Sequence, residues 1–362
     1  MEVTDESVLA ALSTVVEPDL GRPITELGMV QGVVTGPGRV RLSIALPSVA
    51  SPHREWLRDA AVHAVQALGP IDVAVDVVVM GDQDRARLRA QLVAEGPPID
   101  ALRAARILAV ASGKGGVGKS SVAVNLAVAL ARRGCRVALL DADVWGFSVP
   151  RMLGVHRPPL VLDSLLVPVP AHGVAVVSVG LLTEEATPVL WRGPMLHKML
   201  TQFVNDVYWG APEHVVVDLP PGTGDVSITL AGLLPDAELL VVTTPQATAQ
   251  RVAQRAGHLA KRLGVRVAGV VENMSWFTAP DGSRLELFGA GGGELLAQEL
   301  EVPLLGQLPL DPVMVEGGDQ GIPVVVGWPE SQAAAAFEAL AGGVLARRPS
   351  RVRLPSLHVV GT

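Results

Sequence analysis

Thirteen consecutive residues, Ala109-Val-Ala-Ser-Gly-Lys-Gly-Gly-Val-Gly-Lys-Ser-Ser121, constrain this chain more than any other stretch. Gly113, Gly118, Lys119 and Ser120 satisfy G-x-x-x-x-G-K-[ST], which is a phosphate-binding loop when a strand precedes it and a helix follows. Both neighbours are present: Ile107 to Ala111 is an apolar run, and Ser121 to Arg133 has helical spacing. Glycines let successive backbone N–H groups turn inward around anionic oxygens, and the helix adds the positive end of its dipole. The candidate cradle is therefore Gly113, Lys114, Gly115, Gly116, Val117, Gly118, Lys119, Ser120 and Ser121. Lys119 is placed to neutralise the β and γ phosphates of a nucleotide, and the Ser120 hydroxyl to meet Mg²⁺, a hard cation that prefers oxygen.

The chain holds 4 lysines against 25 arginines, yet 2 of the 4, Lys114 and Lys119, fall in this one loop. A second cation beside the phosphates supplies positive charge where negative charge develops in phosphoryl transfer.

From Arg106 onward, apolar runs alternate with helical stretches. The runs are Ile107 to Ala111, Val137 to Leu140, Val174 to Val179, Val215 to Val217, Leu239 to Thr243, Val267 to Val271 and Leu304 to Leu305. This pattern predicts an α/β, doubly wound, mostly parallel sheet covered on both faces, with ligands at the carboxyl ends of its strands. The polar residues fall at those ends. Asp218 follows Val217 in the position of a carboxylate that holds Mg²⁺ directly or through water. Beyond it, Gly222-Thr-Gly-Asp225 reads as a switch loop sensing the γ phosphate. Asp141 and Asp143 follow Leu140 and point the same way if the strand continues. Asp141 would support Mg²⁺ or the loop, or cap the strand end. Asn273 can hydrogen-bond an adenine edge, and Pro309 can pack on the ring.

Residues 1–90 read as a small α+β unit: a helix capped by Thr4, strands at Val30 to Val34 and Val40 to Leu46, a helix over Pro52 to Leu68 and a strand at Val73 to Val79. Residues 91–105 read as a linker and 106–345 as the nucleotide domain, while the proline- and arginine-bearing tail, 346–362, is expected to be disordered.

Composition narrows the partners. A net charge of -7 without a long Lys/Arg run argues against nucleic acid, whose binding needs a basic face. No signal peptide or apolar spanning run is evident and Cys135 is the only cysteine, so a cytoplasmic protein without a membrane partner is expected. His172, His197, His214 and His258 are scattered singly and read as satisfied or surface side chains.

The lysine-bearing loop resembles that of the deviant Walker ATPases related to the nitrogenase iron protein, MinD and ParA. In that class the extra lysine, here Lys114, reaches a partner subunit's nucleotide, and the second aspartate, here Asp143, orients the attacking water. Further stretches resemble one branch: Trp191-Arg-Gly-Pro-Met195, Asp218-Leu-Pro-Pro-Gly-Thr-Gly-Asp225, Thr244-Pro-Gln246, Val271-Glu-Asn-Met-Ser275, Phe288-Gly289 with Gly291-Gly292, and Gly306-Gln-Leu-Pro309. Together they are similar to the Mrp/ApbC iron-sulfur cluster carriers. Glu17-Pro-Asp-Leu20, Leu27-Gly-Met-Val30 and Ala50-Ser-Pro52 resemble the MIP18-like domain fused to them, with Ser51, read as a helix cap, where that family usually has a cysteine. The resemblance implies a homodimeric P-loop NTPase using ATP and Mg²⁺, with Lys114, Asp143 and Asp218 catalytic, which delivers iron-sulfur clusters to apoproteins and meets assembly factors. The alternative is a nucleotide-switched dimeric adaptor without a cluster. The branch usually places a C-x-x-C pair after Glu-Asn-Met-Ser, whereas Ser275-Trp-Phe-Thr-Ala-Pro-Asp-Gly-Ser283 has no cysteine. Cysteine ligation of a cluster normally takes four thiolates, and two copies of this chain carry two.

Overall fold

The computed structural model describes residues 3–95, 98–144, 146–182, 193–222, 225–262 and 264–347. Trp191, Arg192, Thr223, Gly224 and nearly all of the expected tail lie outside the described residues.

The nucleotide domain is built on an 8-stranded sheet. Its spatial order is Val169–Ala171, Val174–Ser178, Val137–Asp141, His214–Asp218, Arg106–Ser112, Glu238–Thr243, Arg266–Glu272, Leu304–Gln307. All pairings are parallel except that of the edge strand Val169–Ala171. The central strands are buried along their length because helices cover both faces. Helices Lys119–Arg132 and Gln332–Ala346 pack on one face through Leu126, Leu130, Phe337 and Leu340. Helices Gly193–Asn205, Asp225–Leu233, Ala247–Arg262 and Gly292–Leu300 cover the other, burying Leu200, Phe203, Leu230, Ala253 and Leu296. This is the doubly wound architecture that the alternating runs predict, and the edge strand is the addition to it.

The small unit carries a 3-stranded sheet in the order Val30–Gly36, Arg39–Leu46, Asp72–Val79, the first pair antiparallel and the second parallel. Thr4 opens helix Asp5–Leu12 with a capping box completed by Ser7. The expected Ser51 cap differs. His53 takes the N-cap of helix Arg54–Gln66, and the Ser51 hydroxyl accepts the His53 N–H one turn earlier.

Residues 82–94 and 98–104 are helical, so most of the stretch read as a linker is folded. The reason is in their apolar positions: Leu88 and Leu92 enter the small core, and Leu102 enters the large one. A hairpin, Leu160–Leu162 with Leu165–Val167, leaves the nucleotide domain and places Leu162, Leu165 and Val167 in the small unit's core. The Asp19 carboxylate of the small unit, buried, accepts two bonds from Arg157 just before that hairpin and lies 3.2 Å from His53 Nε2. Among the described residues, no helix is long and apolar enough to cross a membrane.

Candidate nucleotide site

The phosphate loop joins strand Arg106–Ser112 to helix Lys119–Arg132. Gly116 and Gly118 have φ of +78° and +79°, a backbone that L side chains rarely adopt, which is why glycine stands at both. Gly118 has a second reason. A Cβ there would stand 2.2 Å from Asn273 Nδ2, so the loop closes against that side chain without an intervening atom.

Parallel register brings the carboxylates together. Asp218 pairs with Asp141 across two neighbouring strands, and Asp141 pairs in turn with Ser178. Asp141 and Asp218 are fully buried, and Lys119 and Asp143 nearly so. The Lys119 ammonium donates to Asp218 Oδ1 at 2.5 Å and lies 3.5 Å from Asp143 Oδ2. The Ser120 hydroxyl donates to Asp218 Oδ2. Lys119, Ser120, Asp143 and Asp218 thus form one cluster, as the sequence reading groups them.

Asp141 has another task. The strand ends at Asp141, so the i, i+2 alternation fails and the two aspartates part. The Asp141 carboxylate accepts the Ser178 hydroxyl at 2.8 Å and the Asp143 N–H at 3.1 Å, fixing the turn that aims Asp143 at Lys119. Burial, reinforced by the neighbouring Asp218 charge, raises the Asp141 pKa to about 8. Burial also raises that of Asp218, with Lys119 pulling the other way. Ser178 is a supporting residue that sequence reasoning missed; its only signal is a polar residue ending an apolar strand.

Lys114 sits on the rim, its Nζ 3.3 Å from Gln246 Oε1 in the loop after strand Glu238–Thr243. The Ser112 hydroxyl donates to the Lys114 carbonyl, and the Gly222 N–H to the Ser112 carbonyl, so the start of the expected switch is tied to the loop.

Beside the loop is a cavity of about 360 Å³ lined by Gly118, Ser121, Asn273, Pro309 and Asp311 among others. Pro309 lies on its wall, where a planar base could pack. Asn273 also lines this cavity, and one N–H of its Nδ2 is already given to the Val117 carbonyl at 2.9 Å. What it holds here is the phosphate loop.

The segment after Asn273 closes without cysteine. Phe277–Thr278 pairs with Arg284–Leu285, and the Asp281 carboxylate accepts the N–H and hydroxyl of Ser283 at the turn. The Arg284 guanidinium stacks 4.5 Å from the Trp276 ring centroid. Cys135 lies two residues before strand Val137–Asp141 begins, at the end of the sheet opposite the cluster, its thiol pushed up in pKa by burial and by Glu213. Among the described residues, no group of three or more His, Cys, Asp or Glu is arranged to hold a metal ion.

A family model for the NUBPL iron-transfer P-loop NTPases matches residues 103–345, which hold the loop, the carboxylate cluster and the cavity. The chain belongs to this family. A model for iron-sulfur cluster assembly proteins matches residues 5–77, within the small unit. The iron-sulfur cluster carrier protein of Mycobacterium tuberculosis H37Rv is 48% identical over 357 residues, covering 94% of this chain and 93% of that one. That of Synechocystis is 42% identical, covering 94% and 96%, and that of Bacillus subtilis 41%, covering 85% and 88%. Among solved structures, a nucleotide-binding protein from Archaeoglobus fulgidus in complex with ADP aligns at 32% identity and TM-score 0.54, covering 67% of this chain and 91% of that one. The cell division ATPase MinD of Pyrococcus furiosus aligns at 26% and 0.50, covering 67% and 98%. This member of the family therefore shares a nucleotide-binding fold with them over about two thirds of its length.

Proposed function

We propose that this family member hydrolyses ATP as a homodimer and delivers iron-sulfur clusters to apoproteins. The observation that carries the ATPase reading is the convergence of Lys119, Ser120, Asp143 and Asp218 at one end of the sheet, beside two glycines in left-handed conformation. The Ser120 and Asp218 oxygens, already in contact, suit Mg²⁺ as hard ligands, and the ion when bound neutralises phosphate charge.

Triphosphate oxygens compete with Asp218 for the Lys119 ammonium, which frees the Asp218 carboxylate. Asp143, aimed by Asp141, orients water for in-line attack on the γ phosphorus, giving ADP and phosphate. Lys114, held on the rim by Gln246, reaches the nucleotide of a second copy as the two faces close.

Cluster delivery rests on the likeness to the named carriers along nearly the full chain. The residues here do not fit cluster ligation by four thiolates, since two copies supply two cysteines far from this face. Their absence keeps the adaptor reading as the alternative, although the likeness to carriers favours cargo. Iron and acid-labile sulfide analysis on anaerobically purified protein, with ATPase turnover on the same sample, tests the reading. Stoichiometric iron and sulfide with turnover abolished by Lys119→Ala support it. Iron-free, colourless protein after reconstitution removes the cluster, and unaffected turnover in Lys119→Ala removes the site.

A further inference from the structure

Glu272 is 1% exposed, and neutral donors hold its carboxylate. The Gly293 N–H donates to Oε2 at 2.6 Å and Gln307 Nε2 to Oε1 at 2.9 Å, while the single proton of the Ser275 hydroxyl is shared between Oε1 at 2.9 Å and the Glu272 carbonyl oxygen at 3.0 Å. The Gly293 donor is in the first turn of helix Gly292–Leu300, so the bond ties the carboxylate to the start of that helix.

Close packing makes this contact a joint. A Cβ at Gly293 would stand 2.6 Å from the Glu272 Cβ, and one at Gly292 would stand 2.4 Å from the Pro245 carbonyl oxygen. The helix start is thereby wedged between the ends of strands Glu238–Thr243 and Arg266–Glu272. On one side of the wedge, Pro245 precedes Gln246, which holds Lys114. On the other, Glu272 precedes Asn273, which holds the phosphate loop through Val117. The same carboxylate grips both ends of the excursion 276–291, through Ser275 before it and Gly293 after it. That excursion carries the Trp276–Arg284 hairpin.

We propose that Glu272 is a positioning residue that couples the nucleotide cavity to the excursion 276–291, so that occupancy of one sets the conformation of the other. This rests on the reading of the cavity as the nucleotide site. The coupling path is short: carboxylate to Ser275 and Gly293, main chain to Asn273, amide to Val117.

The test uses the full chain, with hydrogen exchange of residues 277–285 measured with and without ATP, alongside ATP turnover. The parent is expected to change its exchange in this hairpin on adding ATP. Glu272→Gln replaces one acceptor oxygen with a donor facing donors, so the grip fails. Its ATP KM is expected to rise about 10-fold through the misplaced Asn273, with kcat within about 3-fold, because Lys119, Asp143 and Asp218 are untouched. Its ATP-dependent change in exchange at 277–285 is expected to vanish, which a merely structural role would not produce. Ser275→Ala and Gln307→Ala each remove one donor, should each weaken the response, and decide the matter if Glu272→Gln does not fold. A parental ATP response in these variants, or none in the parent, overturns the coupling. ATP binding by the parent and its loss in Lys119→Ala report on the cavity separately, so an intact site with unchanged Glu272→Gln refutes the coupling alone.

Discussion

Gly118→Ala separates two costs that a phosphate loop normally confounds. Gly116 and Gly118 have nearly equal positive φ, but an added Cβ at 116 meets nothing within 4 Å, whereas at 118 it meets Asn273 Nδ2 at 2.2 Å. Placing alanine in a left-handed conformation costs about 1–2 kcal/mol, and this is the whole expected cost of Gly116→Ala without nucleotide. At 118 the Asn273 amide must also retreat from the Val117 carbonyl. That adds about 1 kcal/mol for the lost hydrogen bond and about 1–2 kcal/mol for overpacking a buried contact. Gly118→Ala should therefore lose about 2–3 kcal/mol more than Gly116→Ala in urea denaturation of the nucleotide-free chain. A third variant closes the argument: in an Asn273→Ala background the extra cost of Gly118→Ala should fall to near zero, because the obstructing atoms are gone. Equal destabilisation by the two glycine substitutions, or an extra cost that survives Asn273→Ala, would refute the assignment of Asn273 as the atom group that closes the loop.

Lys119→Ala should abolish nucleotide binding, measured by titration with a fluorescent ATP analogue. It should also destabilise the nucleotide-free chain by about 3–5 kcal/mol, because the buried Asp218 loses its cation. Asp143→Asn should leave ATP affinity within about 3-fold while turnover drops by 10-fold or more, the outcome for a group that acts on water and not on binding; an equal loss in both would refute that role. Glu17, 2% exposed, has its pKa raised to about 7 by burial. Since the folded value lies above the unfolded one, its stabilising contribution is complete below about pH 4.5 and lost as pH rises through 7. Glu17→Gln should therefore flatten the fall in stability between pH 5 and 8, a fall worth up to about 3 kcal/mol. Arg157→Ala leaves the buried Asp19 with His53 alone, and should lower the unfolding free energy measured by urea denaturation by about 1–3 kcal/mol without changing ATP affinity.

The chemistry was legible because it is contiguous. Gly113 to Ser121 carries its own geometry, and Asp218 directly ends an apolar run, so parallel strand order brings it beside Lys119, while Asp143, two residues past its strand, arrives there through the turn that Asp141 holds. What escaped the sequence depends on where a strand stops. A strand two residues longer would send Asp141 and Asp143 to the same side; it stops at Asp141, and Ser178 takes that carboxylate instead. Similarly, Asn273 ends its run as a base-reading residue would, and nothing in the sequence records that Val117 lies within reach of its amide.

The hairpin at 160–167 is the other kind of failure. Its apolar residues belong by sequence to the nucleotide domain, yet Leu162, Leu165 and Val167 complete the small unit's core, and the arginine just before them closes on Asp19. The small unit already buries large side chains of its own, Leu12, Ile24, Leu42 and Leu57 among them, and the inserted hairpin extends that core across the join with the nucleotide domain. The hairpin's chain runs back through 146–158 to Asp143. The small unit is thus fastened to the segment that carries Asp143, and a chain truncated before residue 98 should expose those three apolar residues together. Dye binding and aggregation of such a truncated chain, against restored solubility when all three are replaced by polar residues, measure that dependence; a soluble truncation with parental dye binding would show that the hairpin needs no small unit to cover it.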